Sequence, residues 1–226
     1  MRRLLLWLFG LGVVVLAVGL TARDLAAAAA FDPLRSVATT AREVALTFEV
    51  SRGQTAVSEV LQTLGPAHAT FFVTGVWARG HADLVRRMLA AGDEVESLGN
   101  RPVALDRYPE TVVREELAAG VAALVALGVR PRFLRPPAGR YDPTLLRLAA
   151  ADNLRLCLWD VDGLDWASPG ADAVVTRVLA GARPGAIIRL QADDRSSDTV
   201  PALVAILRGL AAEGLAPVTL SRLAAS

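Results

Sequence analysis

Imidazoles and thiols are scarce in this chain, which carries two histidines and one cysteine in 226 residues. A lone cysteine excludes an intrachain disulfide and a cysteine-based zinc cluster. Cys157 lies in an apolar run between Leu156 and Leu158, where a thiol packs as a small hydrophobe rather than serving as a nucleophile. An excess of charge is missing too: the net charge of +1 gives no electrostatic footprint for a nucleic-acid partner. No GxGxxG follows the first predicted strand and no P-loop occurs, which removes the usual nucleotide-binding readings of an α/β sheet. What the chain does have is apolar mass, 53% of its residues, enough for one well-packed domain.

Arg2 and Arg3 precede an uncharged run from Leu4 to Ala22 that ends at Arg23 and Asp24. Its length approaches the ~20 residues that span a bilayer and exceeds the ~7 to 15 of a signal h-region. Residues 1–22 are therefore read as an N-terminal membrane anchor with the domain outside the cytoplasm, in keeping with the positive N-terminus. Small-residue cleavage sites between Ala26 and Ala30 keep a cleaved signal peptide, and a secreted protein, as the alternative. Residues 23–42 read as a linker without apolar periodicity, and residues 43–226 as the folded domain.

The stretch from Val44 to Gly53 organises that domain: a buried strand carries Glu49 to its end and breaks at Gly53. Further strands are predicted at 69–74, 94–97, 132–135, 154–162, 186–191 and 218–220, with amphipathic helices between them. Asp142 with Pro143 and Ser168 with Pro169 read as helix starts, a capping side chain followed by a residue with φ already set. Seven β/α units without a hairpin signal predict parallel strands joined by right-handed crossovers, in an open doubly wound sheet or a closed barrel. Either way the reactive rim lies at the C-terminal ends of the strands.

The ordered segments ALTFEVSRG, ATFFVTGVWA, LVRRMLAAGDEVES, LRPPAGRYD, LWDVDGLDW and PGAIIRLQ resemble the polysaccharide deacetylase (NodB-homology, carbohydrate esterase 4-like) family over roughly residues 43 to 222. The likeness is to its membrane-anchored sporulation-type branch. The resemblance implies a distorted seven-stranded parallel (β/α) barrel and, in active members, metal-assisted removal of acetyl from an N-acetylated envelope sugar. Such chemistry needs a divalent ion, a carboxylate base and an acid for the leaving amine.

Carried over residue by residue, the resemblance places Glu49 at the base, Arg135 of an RPP motif as its orienting arginine, and Asp162, Asp165 and Trp166 in a DxxDW motif. The two metal-binding histidines fall on Leu98 and Pro102, and the acid histidine on Gln191. The family's zinc or other divalent-metal site is thus expected to be lost, with no cofactor, and Glu49, Arg135, Asp162 and Asp165 to be vestigial. His68 and His81 lie where they cannot substitute, and both read as edge or surface residues. Trp77, Pro136, Pro137, Trp166 and Gln191 are the candidate glycan contacts, the tryptophans as stacking faces or else as core. Asp193, Asp194 and Asp198 read as a solvated loop and helix start, or as oxygen ligands for a hard cation. Because side chains two apart on a strand share a face, Asp160 and Arg189 are expected to pair inside the barrel, since a buried charge must be balanced.

The expectation is a monomeric envelope protein of the deacetylase family whose hydrolytic site has decayed, leaving a cleft for cell-wall glycan or peptidoglycan. The alternatives are an atypical N-acetylglucosamine deacetylase using Glu49, a glycan hydrolase using two of Glu49, Glu96, Asp162 and Asp165 with carboxyls ~5 to 9.5 Å apart, or a structural partner-binding protein.

Overall fold

A computed structural model describes residues 32–226. The expected anchor, and the linker up to residue 31, lie outside the described residues; no described helix is long and apolar enough to cross a membrane. Strand β1 (Glu43–Val50) is buried along almost its whole length, as befits a parallel strand covered on both faces. Its outward residues Val44, Leu46, Phe48 and Val50 join the core under the helices, while Ala45 belongs to the cluster that fills the barrel interior. Thr47 and Glu49 share the inward face with Ala45 through the strand's period of two, so that face turns from apolar to charged towards the rim.

On one side β1 pairs in parallel with β2 (Thr70–Val73), followed by β3 (Glu94–Ser97), β4 (Phe133–Leu134) and β5 (Arg155–Leu156). On the other it pairs with β7 (Ile187–Gln191), which carries β6 (Val161–Asp162); β8 (Ala216–Val218) pairs with the start of β1. These strands are the seven expected, with the predicted fifth strand broken into β5 and β6, and the architecture is the distorted seven-stranded (β/α) barrel. The sheet path ends at β5 and β6, and residues 34–37 lie at that seam. Leu34 bridges Cys157 in parallel, Ser36 bridges Ala186, and Val37 N–H donates to Gly185 O at 2.8 Å. This stretch, expected to be linker, is part of the barrel wall.

Helices α1 (Thr55–Leu64), α2 (Gly75–Gly80), α3 (Ala82–Ala90), α4 (Glu110–Val125), α5 (Pro143–Ala151), α6 (Ala171–Gly181), α7 (Thr199–Ala212) and α8 (Leu220–Leu223) alternate with the strands. Asp142 caps α5 as expected, its carboxylate accepting Leu145 N–H at 2.8 Å. Ser168 does not start α6. It ends a 3-10 turn in the left-handed region (φ 51°), and the helix begins after Gly170, whose N–H donates to Asp198. The last strand ends at Val218, and Leu220 opens α8.

Gly185 makes the seam possible. A Cβ there would meet Val37 O at 1.8 Å, and its φ of +80° disfavours any other residue. Gly185→Ala should therefore destabilise the domain by about 2 kcal/mol or more, since neither strain nor clash can be relieved locally. Chemical denaturation of the two proteins measures the difference.

Candidate active site

The C-terminal ends of β1, β4, β6 and β7 open onto a cleft of about 570 Å³. Its lining includes Glu49, Leu98, Pro102, Pro137, Trp159, Asp162, Trp166, Arg189 and Gln191. The register explains the grouping: Glu49 sits beside Gln191, and Arg189 beside both Thr47 and Asp162. Inward residues of three adjacent strands are thereby stacked in one layer.

Arg189 is the centre of that layer. Its Nε donates to Glu49 Oε1 at 2.8 Å and Nη2 to Oε2 at 3.0 Å, a bidentate pair, while Nη1 reaches Asp162 Oδ2 at 3.2 Å. Burial by itself would lower the guanidinium pKa, but the hydrogen bonds to Glu49 and the surrounding carboxylate charge outweigh it, so the pKa lies above its ordinary value. The expected Asp160–Arg189 pair does not form. The strand is interrupted before Asp160, so its alternation does not hold there; Asp160 is exposed, pairs with Arg183 and accepts Ile187 N–H at 2.8 Å.

Under Arg189 lies a stack of rings and guanidiniums. Arg189 covers the Trp159 ring at 4.4 Å from its centroid, Arg135 lies 5.4 Å from the same ring, and Arg135 covers Phe72 at 4.1 Å. Gly139 leaves room for Trp159, whose ring a Cβ would meet at 2.7 Å. Arg135 is fully buried, donates to Leu158 O at 3.0 Å, and has its pKa lowered by burial. Its Nη1 stands 3.9 Å from Glu49 Oε1, and among the described residues that nitrogen has no hydrogen-bond partner. The same burial pushes the Cys157 thiol up to about 11, which keeps it inert.

Residues 36–157 match the profile of the polysaccharide deacetylase family. A chitooligosaccharide deacetylase from Sinorhizobium fredii is 37% identical over 166 residues, 70% of this chain and 77% of that protein. This chain belongs to the polysaccharide deacetylase family. A second chitooligosaccharide deacetylase, from Bradyrhizobium, is 35% identical over 66% of this chain and 70% of its own length. Among solved structures, the peptidoglycan deacetylase PdaC from Bacillus subtilis superposes with a TM-score of 0.73 at 28% identity, covering 83% of this chain and 92% of that one. A pseudoenzyme of the same carbohydrate esterase family from Bacillus anthracis shares the fold, with a TM-score of 0.80 at 23% identity over 85% of this chain and 69% of that one.

In this polysaccharide deacetylase-family chain Leu98 and Pro102 line the cleft without a donor atom to offer, and both oxygens of Glu49 are engaged by Arg189. The site residues do not fit a transition metal, and among the described residues no group of three His, Cys, Asp or Glu side chains could hold one. Asp165 is fully buried and acts as a clamp: it accepts Gln191 N–H at 2.7 Å and the Thr199 hydroxyl, tying the 3-10 turn to β7 and α7. Burial pushes its carboxyl up to about 6, against those hydrogen bonds.

Other candidates fall elsewhere. Trp77 is buried away from the cleft, donates its indole N–H to Gly53 O at 2.6 Å and stacks on His81; neither lines the cleft. Pro136 is buried at the start of a 3-10 turn and only Pro137 reaches the cleft. His68 abuts Gly92 at the entry of the strands. Asp194 caps α1 from a distance, accepting Ala56 N–H at 2.9 Å and Gln54 N–H at 3.2 Å, and Gly53 is the residue that leaves space for its carboxylate. Asp193 accepts the Ser51 hydroxyl at 3.0 Å, joining the two loops beside the cleft. Trp159, Ser51, Arg52, Arg195 and Ser196 line the cleft and were not singled out from sequence; a tryptophan three residues before the Asp-x-x-Asp-Trp run was the available signal for the first.

Glu96 does not reach the cleft. It accepts Arg132 and Phe133 N–H, each at 2.8 Å, where β4 begins. Burial pushes its carboxyl up to about 8, ahead of those two lowering hydrogen bonds. With the folded pKa above the unfolded one, its protonated form favours folding. That contribution is complete below pH 4.5 and is lost as pH rises towards about 8. Glu96→Gln keeps the accepting oxygen without the charge, so its stability should vary less between pH 5 and pH 8 than the wild type, as thermal melts across that range would record.

Proposed function

We propose that this chain is a glycan-binding member of the deacetylase fold that has lost the hydrolytic reaction. The single observation that carries the reading is the cleft lining: Leu98, Pro102 and Gln191 stand where the resemblance requires imidazoles, and the cleft itself stays open beside them. An acetamide is not hydrolysed at neutral pH without polarisation of its carbonyl and an acid for the leaving amine. Leu98 and Pro102 supply neither, and the Gln191 amide has no acidic proton. Both oxygens of Glu49 are already hydrogen-bonded to Arg189.

The same pairing argues against a glycosidase. That mechanism needs one carboxylic acid at the bond to be broken and one free carboxylate or water-activating base opposite it. Glu49 and Asp162 share one guanidinium, Asp165 is sealed from solvent, and Glu96 is outside the cleft. Recognition needs less. Trp166, 53% exposed at the cleft edge, offers a flat apolar face of the kind on which sugar rings stack. The run from Leu4 to Ala22 supports an extracytoplasmic place at the membrane, next to cell-wall glycan.

The test uses the full-length protein with chitooligosaccharide and with peptidoglycan, in the presence and absence of Zn²⁺, Mn²⁺ and Co²⁺. Acetate release should equal that of Glu49→Ala under every condition, and release abolished by that substitution would overturn the inactive reading. Glycan binding should survive Glu49→Ala and weaken about tenfold in Trp166→Ala, the loss of one stacking contact. Unchanged affinity in Trp166→Ala would remove the cleft as the binding surface.

A further inference from the structure

The interior of the cleft contains a cation that belongs to the chain. Arg189 is 7% exposed, and it lies between Glu49 on one edge of its guanidinium and Asp162 on the other, with Trp159 closing the face. Two carboxylates brought this close without a cation would repel each other and leave charge buried in a low-dielectric site. Arg135 does not discharge that role, because its Nη1 stops 3.9 Å short of Glu49, whose carboxylate is turned to Arg189. The remaining donors at hand, Glu49, Asp162 and the half-buried Gln191 amide, are all oxygens.

We infer that Glu49 and Asp162 form a cation site whose resident occupant is Arg189, and that vacating it creates a site for a hard divalent ion or for free guanidinium. Oxygen donors select Ca²⁺ or Mg²⁺ over zinc, and two carboxylates without a dedicated cage hold such an ion only weakly. The guest enters where the Arg189 side chain was, bound on one side by the Glu49 oxygens and on the other by Asp162. In the wild type the tethered guanidinium excludes it, since a bidentate intramolecular partner outcompetes a dilute ion.

The experiment follows thermal unfolding and calorimetric binding of the full-length wild type, Arg189→Ala and Glu49→Gln/Arg189→Ala, with Ca²⁺ and with methylguanidinium as probes. The wild type should respond to neither probe. Arg189→Ala should melt lower and recover part of the loss with either one, binding Ca²⁺ with a Kd of about 10⁻³ M or tighter. The double variant should lose that response. If Arg189→Ala fails to fold alone, refolding it with methylguanidinium becomes the readout, and recovery of folded protein supports the assignment. Absence of any response in Arg189→Ala, as when Glu49 swings to Arg135 instead, overturns it; so does saturable Ca²⁺ binding at this cleft by the wild type.

Discussion

A guanidinium taken out of water must find its counter-charges within the protein, and the rim of this barrel is arranged around that requirement. Arg189 takes both oxygens of Glu49 and one of Asp162, and each of those carboxylates is placed by a different strand. Removing Glu49 would leave the buried guanidinium with Asp162 alone, and breaking a buried pair costs about 3 to 5 kcal/mol. Trp159 is held between Arg189 and Arg135, and Arg135 rests on Phe72, so the charged layer is joined to the apolar interior through rings rather than through water. The small residue at Gly139 and the backbone carbonyl of Leu158 complete the support.

Parallel-sheet register does the positioning. Because β1, β7 and β6 are adjacent, Arg189 lies level with Asp162 and one inward position below Glu49, so its long side chain reaches both although 140 residues separate Glu49 from Arg189. The loops above are tied down by carboxylates doing structural work: Asp165 joins β7 to α7, Asp193 joins the loops after β1 and β7, and Asp194 caps α1. Acidic residues that read as candidates for chemistry or for a cation are thus largely committed to backbone N–H groups and hydroxyls.

The family membership and the cleft chemistry point to different parts of the molecule. The scaffold is that of proteins acting on chitooligosaccharides and peptidoglycan, while the groups inside this cleft are paired with one another. A binding surface needs exposed faces and unspent hydrogen-bonding groups at its edge, and Trp166, Gln191 and Arg52 supply those where the cleft meets solvent. A hydrolytic centre needs its acid and base free at the reacting bond, whereas Glu49 and Asp162 in this cleft are both paired with Arg189.

By itself the sequence determined the β/α alternation, the buried first strand that carries Glu49 to its end and the Asp142–Pro143 helix start, because each depends on residues near in the chain. It also required that Arg189 be balanced, since an unpaired buried charge is too costly. Which carboxylate would balance it was decided by tertiary structure: period-two alternation pointed to Asp160, but the chain between Leu156 and Val161 leaves the strand, and the neighbouring strands delivered Asp162 level with Arg189 and Glu49 one inward position further along β1. Similarly, Trp77 and Trp166 look alike as aromatics at strand ends, and only packing buries the first at 3% exposure while leaving the second in solvent. The seam filled by residues 34–37 was invisible for the same reason: its hydrogen bonds run to Leu156 and Gly185, far along the chain, and leave no periodic trace in the segment that makes them.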